Sequence, residues 1–186
     1  MKTADANPAW VSDVISFWFE ELKAEHWFSR SDRIDAQIRE RFQSLHEQLV
    51  AEDGPGVTNP RHLLAAVIVL DQFSRNMFRG TARAYAADSI ARRLARAAVE
   101  QGLDAAMNKQ ERLFLYLPFQ HSEDRKDQAL AVRLFEQLGD EEWTRHSLAH
   151  KSIIDRFGRF PHRNAALSRT STAAEIALLK EPLGSF

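Results

Sequence analysis

Apolar positions recur at helical spacing along most of the chain, at i, i+3, i+4 and i+7 rather than at every second residue. Divided at Gly, Pro and polar punctuation, the pattern predicts helices near 8–22, 32–51, 60–79, 83–101, 109–120, 123–138, 141–157 and 172–180. No run of four or more residues alternates apolar and polar with β-branched enrichment, so a sheet has no material. The expected fold is all-α: about eight helices packed as antiparallel hairpins, in a layered bundle or short solenoid, as a single domain over 1–186.

The helix ends are written locally. Gly80, Gly102, Gly139 and Gly158 follow apolar-periodic stretches, where a left-handed residue stops a helix without a side-chain penalty. Asn7-Pro8 and Asn59-Pro60 read as a cap followed by Pro at the first helical position. Asn108 with Glu111, and Thr172 with Glu175, have capping-box spacing, and Asp140 precedes Glu141 and Glu142 at the positive end of a helix dipole. DGPG at 53–56 is the clearest loop, and no tetratricopeptide consensus recurs at 34 residues.

Helix 60–79 carries the sharpest anomaly. Its first half, LLAAVIVL, is apolar all round and should be buried on every side. At 100° per residue Asp71 and Arg75 continue the stripe of Leu64, Val67 and Ile68, with Arg79 one turn further, so charges are aimed at a partly dry place. Asp71 and Arg75 at i, i+4 can simply satisfy each other. Alternatively Gln72, Arg75, Asn76 and Arg79 present a polar wall to a ligand, or the face is solvated.

Two further polar runs lie downstream. HSED (His121 to Asp124) comes after Pro118, which should end or kink its helix nearby. Ser122, Glu123 and Asp124 suit a helix start, and His121 beside carboxylates is also the minimum for acid–base work. FGRFPHRN (157–164) sets Arg159, His162, Arg163 and Asn164 on a Pro-fixed loop between Phe157 and Phe160. Beyond it Arg169 precedes Thr170, Ser171 and Thr172 at a helix N-terminus, a place that favours an anion. His146 and His150 have i, i+4 metal spacing, but Ser147 stands where a zincin helix needs Glu, so no metal is assigned.

Composition narrows the classes. A 44% hydrophobic, 27% charged chain with net charge −1 is globular, and lacks the basic excess of nucleic-acid or anionic-membrane binders. The absence of Cys removes disulfides, Cys-ligated metals and thiol nucleophiles. The longest apolar run is far shorter than a membrane span, no targeting pattern opens the sequence, and a cytoplasmic location is the expectation. No phosphate-binding Gly loop or nucleophile elbow occurs, so no cofactor is expected. Phe17, Trp18, Phe19, Trp27 and Phe28 are too apolar to be solvated and should cover the bundle; exposure of these rings would point to a homodimer.

LDQFSRNMFRGTARAYAAD (70–88), FLYLPFQHSED (114–124) and RFGRFPHRNAALSRTST (156–172), preceded by VISFWF, together resemble the bacterial and fungal domain-of-unknown-function family numbered 924. The resemblance implies an all-α fold of the tetratricopeptide-like superfamily and brings no established activity or site residues with it. Ser74 stands where that family is expected to have Pro, so no proline kink is expected before Arg75. From the residues themselves three readings remain open. The polar runs converge on one pocket that binds a small anion through Arg75, Arg79, Arg159 and Arg163. A superhelical groove holds an acidic peptide of a protein partner. Or His121 is an acid–base group, oriented by Glu123 or Asp124, with Asp71 as a second carboxylate.

Overall fold

The computed structural model describes residues 7–56 and 59–181, and every regular element among them is helical. The first six residues, part of the stretch that carries no targeting pattern, lie outside the described part. Helix α1 (Ala9–Ser16) runs on into a π-helical turn (Phe17–Glu21), followed by short α2 (Ala24–Trp27) and long α3 (Asp32–Ala51). Next come α4 (Pro60–Val67), a second π-helical segment (Ile68–Phe73) and α5 (Ser74–Met77), which form one interrupted rod. The remaining helices are α6 (Asp88–Glu100), α7 (Lys109–Gln120), α8 (Arg125–Leu138), α9 (Glu141–Phe157) and α10 (Ala173–Leu178), with 3-10 turns at Ala82–Tyr85, Leu103–Ala106 and Pro161–Arg163.

The rod is the axis of the molecule. Helices α1, α6 and α7 pack on α4, while α3, α6 and α7 pack on the π segment, so Leu63 to Phe73 are buried without a break. Helices α7, α8 and α9 then pack in sequence, joined by links so short that only antiparallel neighbours are possible. The caps obey their local signals: Asn59, Asn108, Asp124, Asp140 and Thr172 each accept backbone N–H bonds. Pro8 departs from this, because it occupies the cap position itself and α1 starts at Ala9. Pro118 is accommodated in the last turn of α7, which ends two residues later. Gly54 closes the loop after α3 at φ +88°, and a Cβ there would lie 3.2 Å from Ile90 Cγ2.

Two differences from the periodicity decide where the charged side chains point. The expected helix 60–79 is broken by the π segment, whose i→i+5 bonding changes the rotation per residue and resets the phase of everything after Ile68. The expected helix 83–101 begins only at Asp88, because the preceding residues turn as a 3-10 element that buries Ala84 and frees the Asp88 carboxylate from the helix.

Aromatic rings fill the main core. Phe17 and Trp18 meet Phe73 edge-on, Trp18 also meets Phe114, and Trp27 Nε1–H donates to the Trp18 carbonyl at 2.8 Å. The N-terminal aromatic segment is thus built into the bundle, with only Phe28 largely exposed while it stacks on Phe114. A smaller apolar cluster of Ile153, Ile154, Phe160 and Leu178 sits apart from it. Among the described residues no helix is long and apolar enough to cross a membrane.

Trp18 contacts two other buried rings, so Trp18→Ala is expected to lower unfolding free energy by about 3 to 5 kcal/mol, measured by urea denaturation. Deletion of residues 1–30 removes Phe17, Trp18 and Trp27 together and is expected to abolish a cooperative melt; a sharp transition in the truncated chain would show the core to be complete without them.

Candidate functional site: an aspartate–histidine pair on an arginine-lined cavity

Asp71 lies in the π segment and is fully buried. Its carboxylate receives His121 Nδ1 at 2.9 and 3.0 Å, Gln72 Nε2 at 2.6 Å and the Arg75 guanidinium at 3.1 Å. Burial alone would push this carboxyl up; the charges of Arg75 and His121 and the hydrogen bonds from His121 and Gln72 outweigh it and hold the group well below the usual carboxylate range. An ionised carboxylate only accepts, so Nδ1 of His121 must carry the proton. Burial also pushes the His121 imidazole below its ordinary value, against the pull of Asp71 and with the help of Arg75 and Arg163. The neutral ring therefore has its lone pair on Nε2, the edge away from Asp71, where no hydrogen-bond partner is found among the described residues.

That histidine, 15% exposed at its side chain, lines an open cavity of about 340 Å³ between α6, the end of α7 and the loop after α9. Tyr85, Asp88, Arg92, Ser122, Glu123 and Arg163 form much of its polar surface, and Pro118 and Leu167 supply apolar contact. Both oxygens of Asp88 are taken by Arg75 at 3.0 Å, and Arg163 adds a third contact at 3.3 Å. Arg163 is 6% exposed, donates to the His121 carbonyl at 2.8 Å, stacks over Tyr85 and Phe160, and has no hydrogen-bond partner for Nε among the described residues. From α6, Arg92 on the cavity and Arg96 beyond it share the buried carboxylate of Asp127. Arg92 also donates to Ser122 Oγ, which itself donates to Asp127 and accepts from the Asp124 N–H.

The structure brings together part of the predicted set and disperses the rest. Asp71, Gln72, Arg75, His121, Glu123 and Arg163 meet around this cavity. Asn76 and Arg79 turn the other way and bind Asp35 of α3. Arg159 is held by Glu175 and the Thr170 carbonyl, so the expected convergence of four arginines is corrected to Arg75 and Arg163. The N-terminus of α10, expected to welcome an anion, is already filled by the Glu175 carboxylate, which accepts the Thr172 N–H. His121 is oriented by Asp71 rather than by Glu123 or Asp124. Glu123 binds Arg169 and the Phe160 N–H, and Asp124 caps α8. Asn164 is buried with its amide on Ser171, and His162 leans against Phe160. His146 is turned to Glu142 at the surface while His150 points inward to its own helix carbonyl, His121 and Phe160, so the two do not face a common point.

Four members have no signal in the sequence pattern: Tyr85, Asp88, Arg92 and Asp127. Asp88 closes the long run 70–88, and its distance of 13 residues from Arg75 spans a turn whose geometry no local signal fixes. A second cavity of about 360 Å³ lies along α6, lined by Arg92, Arg93, Arg96 and Asp53. It holds no histidine, and Arg93 there is closed onto Asp53.

A family model described as "Bacterial protein of unknown function (DUF924)" matches residues 14–183. Among solved structures, the "Protein of Unknown Function ATU0120 from Agrobacterium tumefaciens" is similar at 37% identity and a TM-score of 0.85, covering 91% of this chain and 96% of that one. No curated protein matches the chain.

The charges set two expectations. His150 is held down to about 3 by burial and then by His121, and His162 to about 4 by burial and then by Arg163, against an ordinary imidazole value of 6.5. Both are neutral when folded and take up protons more readily when unfolded, so their contribution is intact above pH about 6.5 and is lost as pH falls toward 4. The melting temperature should drop between pH 7 and pH 5, and His162→Gln should flatten that drop. Asp71→Asn removes one of the two carboxylates on Arg75 and the counter-charge of His121 and should cost about 3 to 5 kcal/mol, with partial recovery in Asp71→Asn/Arg75→Gln, read by the same denaturation experiment.

Proposed function

The chain belongs to the DUF924 family of bacterial proteins, and from its own geometry we propose that it binds a small anionic molecule, bearing a carboxylate or phosphate, in the cavity before His121. The observation that carries this reading is the sharing of carboxylates around the cavity. Arg163 reaches an Asp88 whose two oxygens Arg75 already holds, and Arg92 shares Asp127 with Arg96. Two guanidiniums that line one cavity thus each share their counter-ion, and Arg163 keeps a buried Nε without a hydrogen-bond partner among the described residues. Guanidinium groups match the planar oxygen pairs of carboxylates and phosphates, and a cavity with apolar walls strengthens the attraction. The π-helical turn under the site agrees with it, since such turns are found most often where a side chain has been re-aimed for a task.

An extended acidic peptide, the second reading, needs an open groove with unpaired charges along it. Here Arg79, Arg93 and Arg159, three of the cations outside the cavity, are each closed onto a carboxylate of the chain, which favours the small ligand.

The test is a titration of the protein with succinate and with inorganic phosphate, monitored by thermal shift and by amide chemical shifts. Saturation at about a hundred times the dissociation constant should stabilise by about 2.7 kcal/mol. Arg163→Gln and Arg92→Gln should weaken binding at least tenfold, whereas Arg159→Gln should not. An unchanged melting temperature with both anions, or equal binding by the Arg163 and Arg159 variants, would remove the pocket.

A further inference from the structure

Resting on the anion-binding reading, we propose that the cavity is catalytic: His121 is the general base that activates a water molecule for hydrolysis of a carboxylic ester whose alcohol or acyl part bears a carboxylate or phosphate.

The arrangement of the pair is what a base needs. Asp71 fixes the ring with its proton on Nδ1 and its lone pair on Nε2, and an ionised Asp71 stabilises the imidazolium once the ring has accepted a second proton. Gln72 and Arg75 hold the Asp71 carboxylate in place, so they are positioning residues and touch no substrate. Such rigid support costs stability unless it serves something, because an ionised group at this depth has to be compensated from several directions at once. A structural pair needs no free nitrogen at a cavity, and this one has it.

The neighbours then select the chemistry. The chain has no Cys, and the serine next to His121, Ser122, is fully engaged by Arg92, Asp127 and the Asp124 N–H. Ser89 and Tyr85 also line the cavity, but among the described residues neither is hydrogen-bonded to His121, so the base has no side-chain nucleophile in hand and water is the group it can activate. Two carboxylates line the cavity: Asp88 is bound by Arg75 and Arg163, and Glu123 is held ionised by Arg169 and the Phe160 N–H after overcoming its burial, so neither is set up to offer a proton. A single group must therefore take the proton and return it. Hydrolysis fits that demand. As the water oxygen bonds to the carbonyl carbon, its proton passes to Nε2. When the tetrahedral intermediate collapses, the carbon–oxygen bond to the alcohol breaks and the same proton leaves Nε2 for the departing oxygen. Ester and water become acid and alcohol, and the imidazole is restored. Arg163 and Arg92 on the same cavity supply positive charge for the substrate's anionic group and for the transient oxyanion.

The groups that face His121 are Asp71 and Arg75 from the rod, His150 from α9, and His162 and Arg163 from the 3-10 turn after it. Their net effect keeps the ring neutral around pH 7 and puts the acid limb of the rate below the ordinary imidazole range.

The experiment uses the whole chain with 4-acetoxybenzoate and 4-acetoxyphenyl phosphate, phenyl acetate as the neutral twin, and 4-hydroxybenzoate binding monitored by amide shifts. Support is turnover of at least one anionic ester above buffer, at least tenfold preferred over phenyl acetate in kcat/KM. It should fall about a hundredfold or more in His121→Gln, a variant that leaves Asp71 paired with Arg75 and Gln72. Arg163→Lys should raise KM more than it lowers kcat, and the rate should decline on acidification with a single titration. Turnover retained in His121→Gln, or no turnover while 4-hydroxybenzoate binds, overturns the catalytic assignment and leaves the anion pocket standing. Absence of both turnover and binding ends the two together.

Discussion

The placing of one carboxylate, Asp71, at the dry centre of the bundle sets the conditions for the rest of the site. A charge there is tolerated only if several donors converge on it, and the cost of leaving it unmet is several kcal/mol. The donors come from three positions: Gln72 beside it, Arg75 one turn on and His121 from the end of α7. Each brings its own obligation. Arg75 is itself largely out of solvent and recruits Asp88 at the start of α6, and Asp88 in turn draws Arg163 from the far end of the chain. The cavity is what remains between elements arranged to satisfy this series.

Much of the helical framework is legible in the sequence, because its signals are local. Asn108 with Glu111 and Thr172 with Glu175 form the capping boxes their spacing announces, and Gly102, Gly139 and Gly158 take the left-handed conformation at the stops. Helices α3, α7 and α9 have their expected ends within a residue. The burial of Asp71 is also readable, since a charge on the continuation of an all-apolar stretch has nowhere wet to go. The π segment is not. Its hydrogen bonds depend on how α3, α6 and α7 close around the rod. The partner carboxylates Asp35, Asp88 and Asp127 are equally invisible, because pairing across 31 to 44 residues, or around an irregular turn, leaves no periodic trace.

Ser74 shows how the chain manages the exit from that segment. Its hydroxyl donates to the Leu70 carbonyl at 2.7 Å and accepts from His46 Nε2 at 2.6 Å, so an acceptor of the irregular turn and one nitrogen of a buried imidazole are both satisfied by one side chain. A proline there would supply neither bond. The position that departs from the expected pattern is thus also the one that ties α3 to the rod, beside the Asp35 contacts to Asn76 and Arg79.

The two apolar clusters give the cavity walls of different kinds. Ile68, Val69, Leu70 and Phe73, which flank Asp71, belong to the large cluster, whereas Phe160, on which Arg163 leans, belongs to the small one with Ile153, Ile154 and Leu178. Across the boundary run ionic and polar links: Arg163 to Asp88 and to the His121 carbonyl, and Glu123 to the Phe160 N–H and Arg169. Oily contact is insensitive to dissolved ions, while links of this sort are softened by them and remade by a competing anion. The floor of the cavity is therefore cast with the bundle, and its outer wall is hung from it on charges, so a bound anion would act on the hinge pins themselves.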